Sequence, residues 1–224
     1  MFRIKICGIT NVDDALAAAR AGADAVGLNF YPKSPRCVDA DAADRIIASL
    51  PRETVKVGLF VNAPAQEVCR TFDRLGLDLI QLHGDEPPRY LAQLAGRPVM
   101  RAFRPGPDGL EPLERYLAHC RRLGCTPRLV LVDALVPGQY GGTGRLADWH
   151  LLRTYAGAAK AGPGPPLVLA GGLTPGNVAE AIAIVRPAAV DTASGVELGP
   201  GRKDPAAVEA FVRAARTAFE SLRS

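Results

Sequence analysis

The sequence predicts a parallel (β/α)8 barrel. Short apolar runs rich in Val, Ile and Leu alternate with helical patterns from one end of the 224-residue chain to the other. The composition is 48% hydrophobic, enough for one sizeable core of the α/β barrel size class. Polar or small residues, Cys7, Asn29, Asp133, Gly171 and Asp191, fall at or near the C-terminal ends of the apolar runs. In barrels that rim is where the chemistry sits. An open doubly wound sheet is the alternative, but no G-x-G-x-x-G follows the first run. We expect one barrel domain over residues 1–224.

The eight β-like runs are Phe2–Cys7, Ala25–Phe30, Val55–Val61, Leu79–Leu82, Val99–Phe103, Leu129–Asp133, Leu167–Ala170 and Ala189–Thr192. Their length and lack of polar alternation suit strands buried on both faces. After the first run, Asn11 is placed to cap a helix whose opening turn carries Asp13 and Asp14 at the positive end of the dipole. Val12, Leu16 and Ala19 then recur at helical spacing. Helical patterns follow at Ala43–Leu50, Ala65–Leu75, Arg89–Leu94, Leu110–Leu123 and Trp149–Tyr155. Thr174-Pro175 and Asp204-Pro205 each read as a cap followed by proline in the first helical position. Three loops stand out: Tyr31–Val38 with its Pro-Lys-Ser-Pro-Arg, the glycine-rich Leu135–Leu146, and Ala158–Pro166.

Charge and cysteine usage narrow the function classes. Net charge is +4, without a long basic run. A nucleic-acid partner is not expected, whereas an anionic small molecule is compatible. No apolar stretch approaches the roughly 18 residues of a membrane span, and a strand pattern begins at Phe2, which argues against an export leader. The five cysteines are odd in number and irregularly spaced. That pattern predicts free thiols in a reducing cytoplasm rather than a disulfide framework. Cys120 and Cys125 lack a second ligand pair at zinc spacing, so no metal is expected.

Cys7 and Asp133 end the first and sixth runs. A thiol and a carboxylate on one rim are the parts of a two-group acid–base device. A free thiol has a pKa of roughly 8.5 that a nearby cation lowers. Lys5, two residues back on the same strand face, is such a cation. The plainer readings are a core thiol for Cys7 and a cap or ion-pair member for Asp133. Gly171-Gly172 and Ala193-Ser194-Gly195 follow the seventh and eighth runs, where barrels often hold a phosphate on backbone N–H groups; simple turns use glycine too. Arg36, in a loop stiffened by Pro32 and Pro35, is suited to gripping a carboxylate and equally to lying in solvent. His83 closes the fourth run, as a pocket or capping residue. Lys5 carries a rival reading as a Schiff-base lysine of an aldolase. A phosphate-ligand binding protein on a barrel scaffold is a third reading.

The ordered segments Lys5-Ile6-Cys7-Gly8-Ile9-Thr10, Phe30 to Arg36, Gln81-Leu82-His83-Gly84-Asp85, Gly141-Gly142-Thr143-Gly144, Leu169 to Leu173, Ser194 to Glu197 and Gly201 to Asp204 resemble phosphoribosylanthranilate isomerase. The resemblance runs from the first strand to the last helix. It implies the Amadori rearrangement of N-(5-phosphoribosyl)anthranilate to 1-(2-carboxyphenylamino)-1-deoxyribulose 5-phosphate in tryptophan biosynthesis. It implies Cys7 as general base, Asp133 as general acid and Arg36 as partner of the anthranilate carboxylate. Gly171, Gly172, Ser194 and Gly195 fall in its phosphate loops. Asp191 matches a pocket carboxylate near the sugar, and His83 is expected among the substrate-binding residues. No cofactor is implied, because the substrate nitrogen serves as the electron sink. A monomer or a homodimer is expected. Asn29, Cys37 and Thr192-Ala193 depart from the family pattern.

Overall fold

A computed structural model describes residues 1–106, 108–133, 149, 151–155 and 164–222. The first six strands are β1 (Ile4–Cys7), β2 (Ala25–Asn29), β3 (Val55–Phe60), β4 (Leu79–Leu82), β5 (Val99–Phe103) and β6 (Leu129–Asp133). With β7 (Leu167–Ala170) and β8 (Ala189–Thr192) they close in sequential order into an all-parallel barrel. The expected strands are all present. Three end slightly short of expectation, β1 starting at Ile4 and β2 and β3 stopping at Asn29 and Phe60.

Helices α1 (Val12–Arg20), α2 (Ala40–Ser49), α3 (Ala65–Leu75), α4 (Pro88–Ala92) and α5 (Glu111–Arg122) follow the first five strands. Two more, α6 (Val178–Val185) and α7 (Pro205–Ser221), follow β7 and β8. Residues 151–155 are helical, within the expected Trp149–Tyr155 segment. The expected loop Leu135–Leu146 with Gly141-Gly142-Thr143-Gly144, and most of Ala158–Pro166, lie outside the described residues.

The caps explain where the helices begin. Asn11 Oδ1 accepts from Asp14 N at 2.8 Å, as its position predicted. Asp204 accepts from Ala206 N and Ala207 N ahead of Pro205. Helices α4 and α5 start one residue from expectation, at Pro88 and Glu111, and two starts differ more. Helix α2 begins at Ala40 rather than Ala43, because Asp39 caps it by accepting from Ala42 N. Thr174 is not the cap of α6. Residues 175–177 form a turn, and the helix begins at Val178 with Asn177 at the cap position. Asn177 instead braces the preceding loop, accepting from Thr174 N and donating to Gly172 O.

Alternation along the strands divides the core in two. One set, including Ile6, Val26, Leu28, Ile80, Val130 and Val190, packs outward beneath the helices. A smaller set, including Ala25, Val57, Leu79, Met100, Leu131 and Val168, fills the barrel interior. Lys5 and Cys7 share one face of β1. In register Lys5 lies beside Ala25 and Asp191, and Cys7 beside Gly27. That register places polar side chains above the apolar plug. After β8 come a 3-10 turn (Ser194–Val196) and a short antiparallel hairpin, β9 (Glu197–Gly199) with β10 (Arg202–Lys203).

Candidate active site

A cavity of about 530 Å³ opens at the C-terminal rim of the barrel. Cys7, Arg36, His83, Asp133, Gly171, Gly172, Asp191, Ser194 and Gly195 all line it. The structure thus brings these nine candidates together, from segments spread between β1 and the 3-10 turn, while Lys5 is not among the lining residues.

Cys7 is buried, with Lys5 and Asp191 on the strands that feed it. Lys5 Nζ lies 2.9 Å from Asp191 Oδ1, and neither side chain is more than 8% exposed. Burial alone would pull Lys5 down, but Asp191 and then Cys7 outweigh it and hold the ammonium above its ordinary range. Lys5 is paired with Asp191, has no exposed surface and is not among the residues that line the cavity, so its position does not favour the Schiff-base reading. Burial pushes the Cys7 thiol up; Lys5 opposes this and Asp191 adds to it. The expectation that Lys5 favours the thiolate holds for its own contribution but not for the sum. Removing a small buried thiol from water costs the anion more than one shared ammonium returns. The resting group is a thiol.

Asp133 ends β6 across the rim. His83 Nε2 and Arg104 Nε each lie 3.6 Å from its Oδ2. Gln81 Nε2 lies 3.0 Å from His83 Nδ1. The other ring nitrogen, Nε2, is the one turned to Asp133.

Arg36 is more constrained than its loop alone indicates. Asn29 Oδ1 accepts from Tyr31 N, Asn29 Nδ2 donates to Ser34 Oγ, and Ser34 Oγ accepts from Arg36 N. Asn29 therefore pins the loop from inside. The guanidinium is not a lone solvated group. It pairs with Glu197, which with Lys203 holds it from the hairpin side.

The glycine loops adopt backbone conformations and close contacts that favour glycine. Gly171 and Gly172 have φ of 89° and 67°, the left-handed region that glycine enters without a Cβ penalty. At Gly195 a Cβ would overlap the carbonyl oxygen of Leu173, which also accepts from Thr192 Oγ1 at 2.7 Å. The two loops are thereby locked edge to edge. Among the described residues no cluster of three or more His, Cys, Asp or Glu side chains is placed to hold a metal ion.

The family model described as N-(5'phosphoribosyl)anthranilate (PRA) isomerase matches residues 4–214. The chain belongs to the phosphoribosylanthranilate isomerase family. It is 50% identical over 217 residues to the N-(5'-phosphoribosyl)anthranilate isomerase of Geobacter sp. (strain M21), covering 96% of this chain and 98% of the relative. The crystal structure of phosphoribosyl anthranilate isomerase from Thermotoga maritima superposes with a TM-score of 0.84 at 40% identity, covering 97% of this chain and 100% of that one. A phosphoribosyl anthranilate isomerase in complex with reduced 1-(o-carboxyphenylamino)-1-deoxyribulose 5-phosphate superposes with a TM-score of 0.80 at 37% identity, covering 97% of this chain and 100% of that one. The activity of this phosphoribosylanthranilate isomerase family member is the aldose–ketose isomerisation of N-(5-phosphoribosyl)anthranilate to 1-(2-carboxyphenylamino)-1-deoxyribulose 5-phosphate, in tryptophan biosynthesis.

Sequence reasoning missed four contributors. Glu197 and Lys203 stood inside resembling segments without a role, and Gln81 and Arg104 were not singled out as site residues. Glu197 and Arg104 meet their partners Arg36 and Asp133 only through the fold, Glu197 across 161 residues, so no local pattern marks them. Gln81 and Lys203 bond nearby residues, two and six positions away, at spacings that carry no recognisable motif.

Proposed function

We propose that Cys7 is the general base and Asp133 the general acid of the isomerisation. Asp133 in its acid form gives a proton to the furanose ring oxygen, the C1–O bond breaks, and an imine forms to the anthranilate nitrogen. Cys7 as thiolate removes the C2 proton. The C2–H electron pair moves into a C1–C2 double bond while the imine nitrogen takes up charge, and the enamine tautomerises to the ketone. Each group contributes roughly 10²–10⁴-fold to the rate. The observation that carries this reading is the convergence of a thiol, a carboxylate, a guanidinium and two glycine loops on one cavity.

The remaining roles follow from charge and position. Arg36 holds the anthranilate carboxylate. The N–H groups of the Gly171-Gly172 and Ser194-Gly195 loops hold the phosphate. Asp191, fixed by Lys5, and His83, directed at Asp133, flank the sugar. The chain works as one barrel domain, monomer or homodimer; the solved relatives include monomers generated by mutation from the dimeric phosphoribosylanthranilate isomerase of Thermotoga maritima. Its five free cysteines suit a reducing cytoplasm, and among the described residues no helix is long and apolar enough to cross a membrane.

The test is turnover of phosphoribosylanthranilate generated in place, followed by loss of its fluorescence, for wild type, Cys7→Ser and Asp133→Asn. Near-background rates in both folded variants are expected. Wild-type-like turnover in either removes that residue from its role.

A further inference from the structure

Arg36 enters the cavity already held along one side. Nε donates to Glu197 Oε1 at 2.9 Å and Nη2 to Glu197 Oε2 at 2.6 Å. A guanidinium presents five donors in a rigid fork. These two bonds occupy its side-on edge. Among the described residues Nη1 makes no hydrogen bond, so the end-on Nη1/Nη2 fork is the edge left for a ligand.

Glu197 is itself seated. Lys203 Nζ donates to Glu197 Oε1 at 2.8 Å and to Ala193 O at 3.1 Å. The Glu197 and Lys203 side chains are 3% and 0% exposed, while Arg36 retains 23%. Glu197 holds the Arg36 guanidinium above its ordinary range, while burial pulls Lys203 below its own against the opposing pull of Glu197. Burial works against the Glu197 carboxylate, yet Arg36 and Lys203 hold its pKa below the ordinary range. The hairpin that carries the trio is tied down, since Thr10 Oγ1 donates to Gly201 O at 2.6 Å and Lys203 N to Asp14 Oδ2 at 3.0 Å. On the opposite side the Arg36 stem runs over Gly8, where a Cβ would come within 2.5 Å of Arg36 Cδ.

A desolvated ion network of this kind is a poor stabiliser compared with apolar packing. Its geometry is better explained by what it aims. We propose that Glu197, seated by Lys203, is a positioning residue that turns the end-on fork of Arg36 into the cavity, and so sets the requirement for a carboxylate on the aromatic ring of the substrate. Lys203 ties the same carboxylate to the Ala193 carbonyl, at the edge of the phosphate loop. The distance between the two anion sites is thereby fixed through three side chains. This inference rests on the reading of Arg36 as partner of that carboxylate.

The experiment compares two substrates generated in place from ribose 5-phosphate, one with anthranilate and one with aniline, which lacks the carboxylate. Values of kcat and KM are measured for wild type, Glu197→Gln and Arg36→Met, with folding checked by circular dichroism. In Glu197→Gln the KM for the anthranilate adduct is expected to rise up to about 10²-fold, the scale of a misplaced binding group. The kcat is expected to stay near wild type, and the KM for the aniline adduct to be unchanged. Retention of the wild-type preference for the carboxylate, or an equal loss with both substrates, overturns the proposal. Arg36→Met separates the two claims. If it keeps the preference, the reading of Arg36 itself fails; if it loses the preference while Glu197→Gln keeps it, only the positioning role of Glu197 fails. Should Glu197→Gln not fold, Glu197→Asp keeps the charge but withdraws the carboxylate by one methylene. A preference reduced several-fold is then expected, and a wild-type preference overturns the proposal.

Discussion

Gly27 and Cys7 are register partners on β2 and β1, and a Cβ at position 27 would lie 2.7 Å from Cys7 Sγ and 3.0 Å from Lys5 Nζ. The thiol and the ammonium share the space that the missing side chain leaves. Gly27→Ala is therefore expected to act on chemistry as well as stability. Overpacking of this kind costs about 1–3 kcal/mol, to be read by urea unfolding. The kcat is expected to fall as well, because the methyl group must displace Sγ. A variant with lowered stability and wild-type kcat would show that Cys7 need not sit where it does.

The base limb of the kcat/KM profile has a definite sign. Burial, joined by Asp191 and opposed by Lys5, raises the Cys7 thiol above its ordinary value. Below that raised value the base is mostly protonated, and the thiolate fraction grows ~10-fold per pH unit. As kcat/KM reports both the acid and the base of the free enzyme, its base limb is expected to extend into mildly alkaline pH, opposed by loss of the Asp133 proton. A base limb already complete below neutral pH would mean that the reacting base is not this thiol.

Lys5 and Asp191 form a buried pair whose members do not survive singly. Lys5→Met leaves an uncompensated carboxylate inside the barrel, and Asp191→Asn an uncompensated ammonium. Each is expected to lose about 3–5 kcal/mol of stability, while the double variant recovers most of it. Denaturant unfolding of the three variants measures the coupling. Additive losses would show that the pair is not an energetic unit.

Gly172 and Gly195 are both glycines of the proposed phosphate loops, for different reasons. At Gly172 the backbone φ is 67° and a Cβ meets nothing within 4 Å. Gly172→Ala is expected to cost about 1–2 kcal/mol of backbone strain with little loss of phosphate affinity. At Gly195 a Cβ would overlap the Leu173 carbonyl, so the loops must part. Gly195→Ala is expected to weaken inhibition by ribose 5-phosphate far more than Gly172→Ala does. The reverse order would place the phosphate elsewhere.

The linear order of residues determined the barrel. Apolar runs such as Leu129–Asp133 and Leu167–Ala170 match strands residue for residue, since strands buried on both faces need continuous apolar sequence. Caps such as Asn11 and Asp204 were equally legible, because their bonds close within three residues. The start of α6 was not, because Asn177 serves the Gly172 loop rather than the simplest cap rule. The rim position of Cys7, Asp133 and the glycine loops could be read from where their strands end, and the family from the ordered motifs. Only the tertiary structure decided what each group is paired with. Glu197 reaches Arg36 across 161 residues, and Asp191 reaches Lys5 across 186. Those pairings set the protonation of the site and the direction in which Arg36 points. They depend on barrel closure between β1 and β8 and on the hairpin that follows it, and long-range closure leaves no periodic or local trace in the chain.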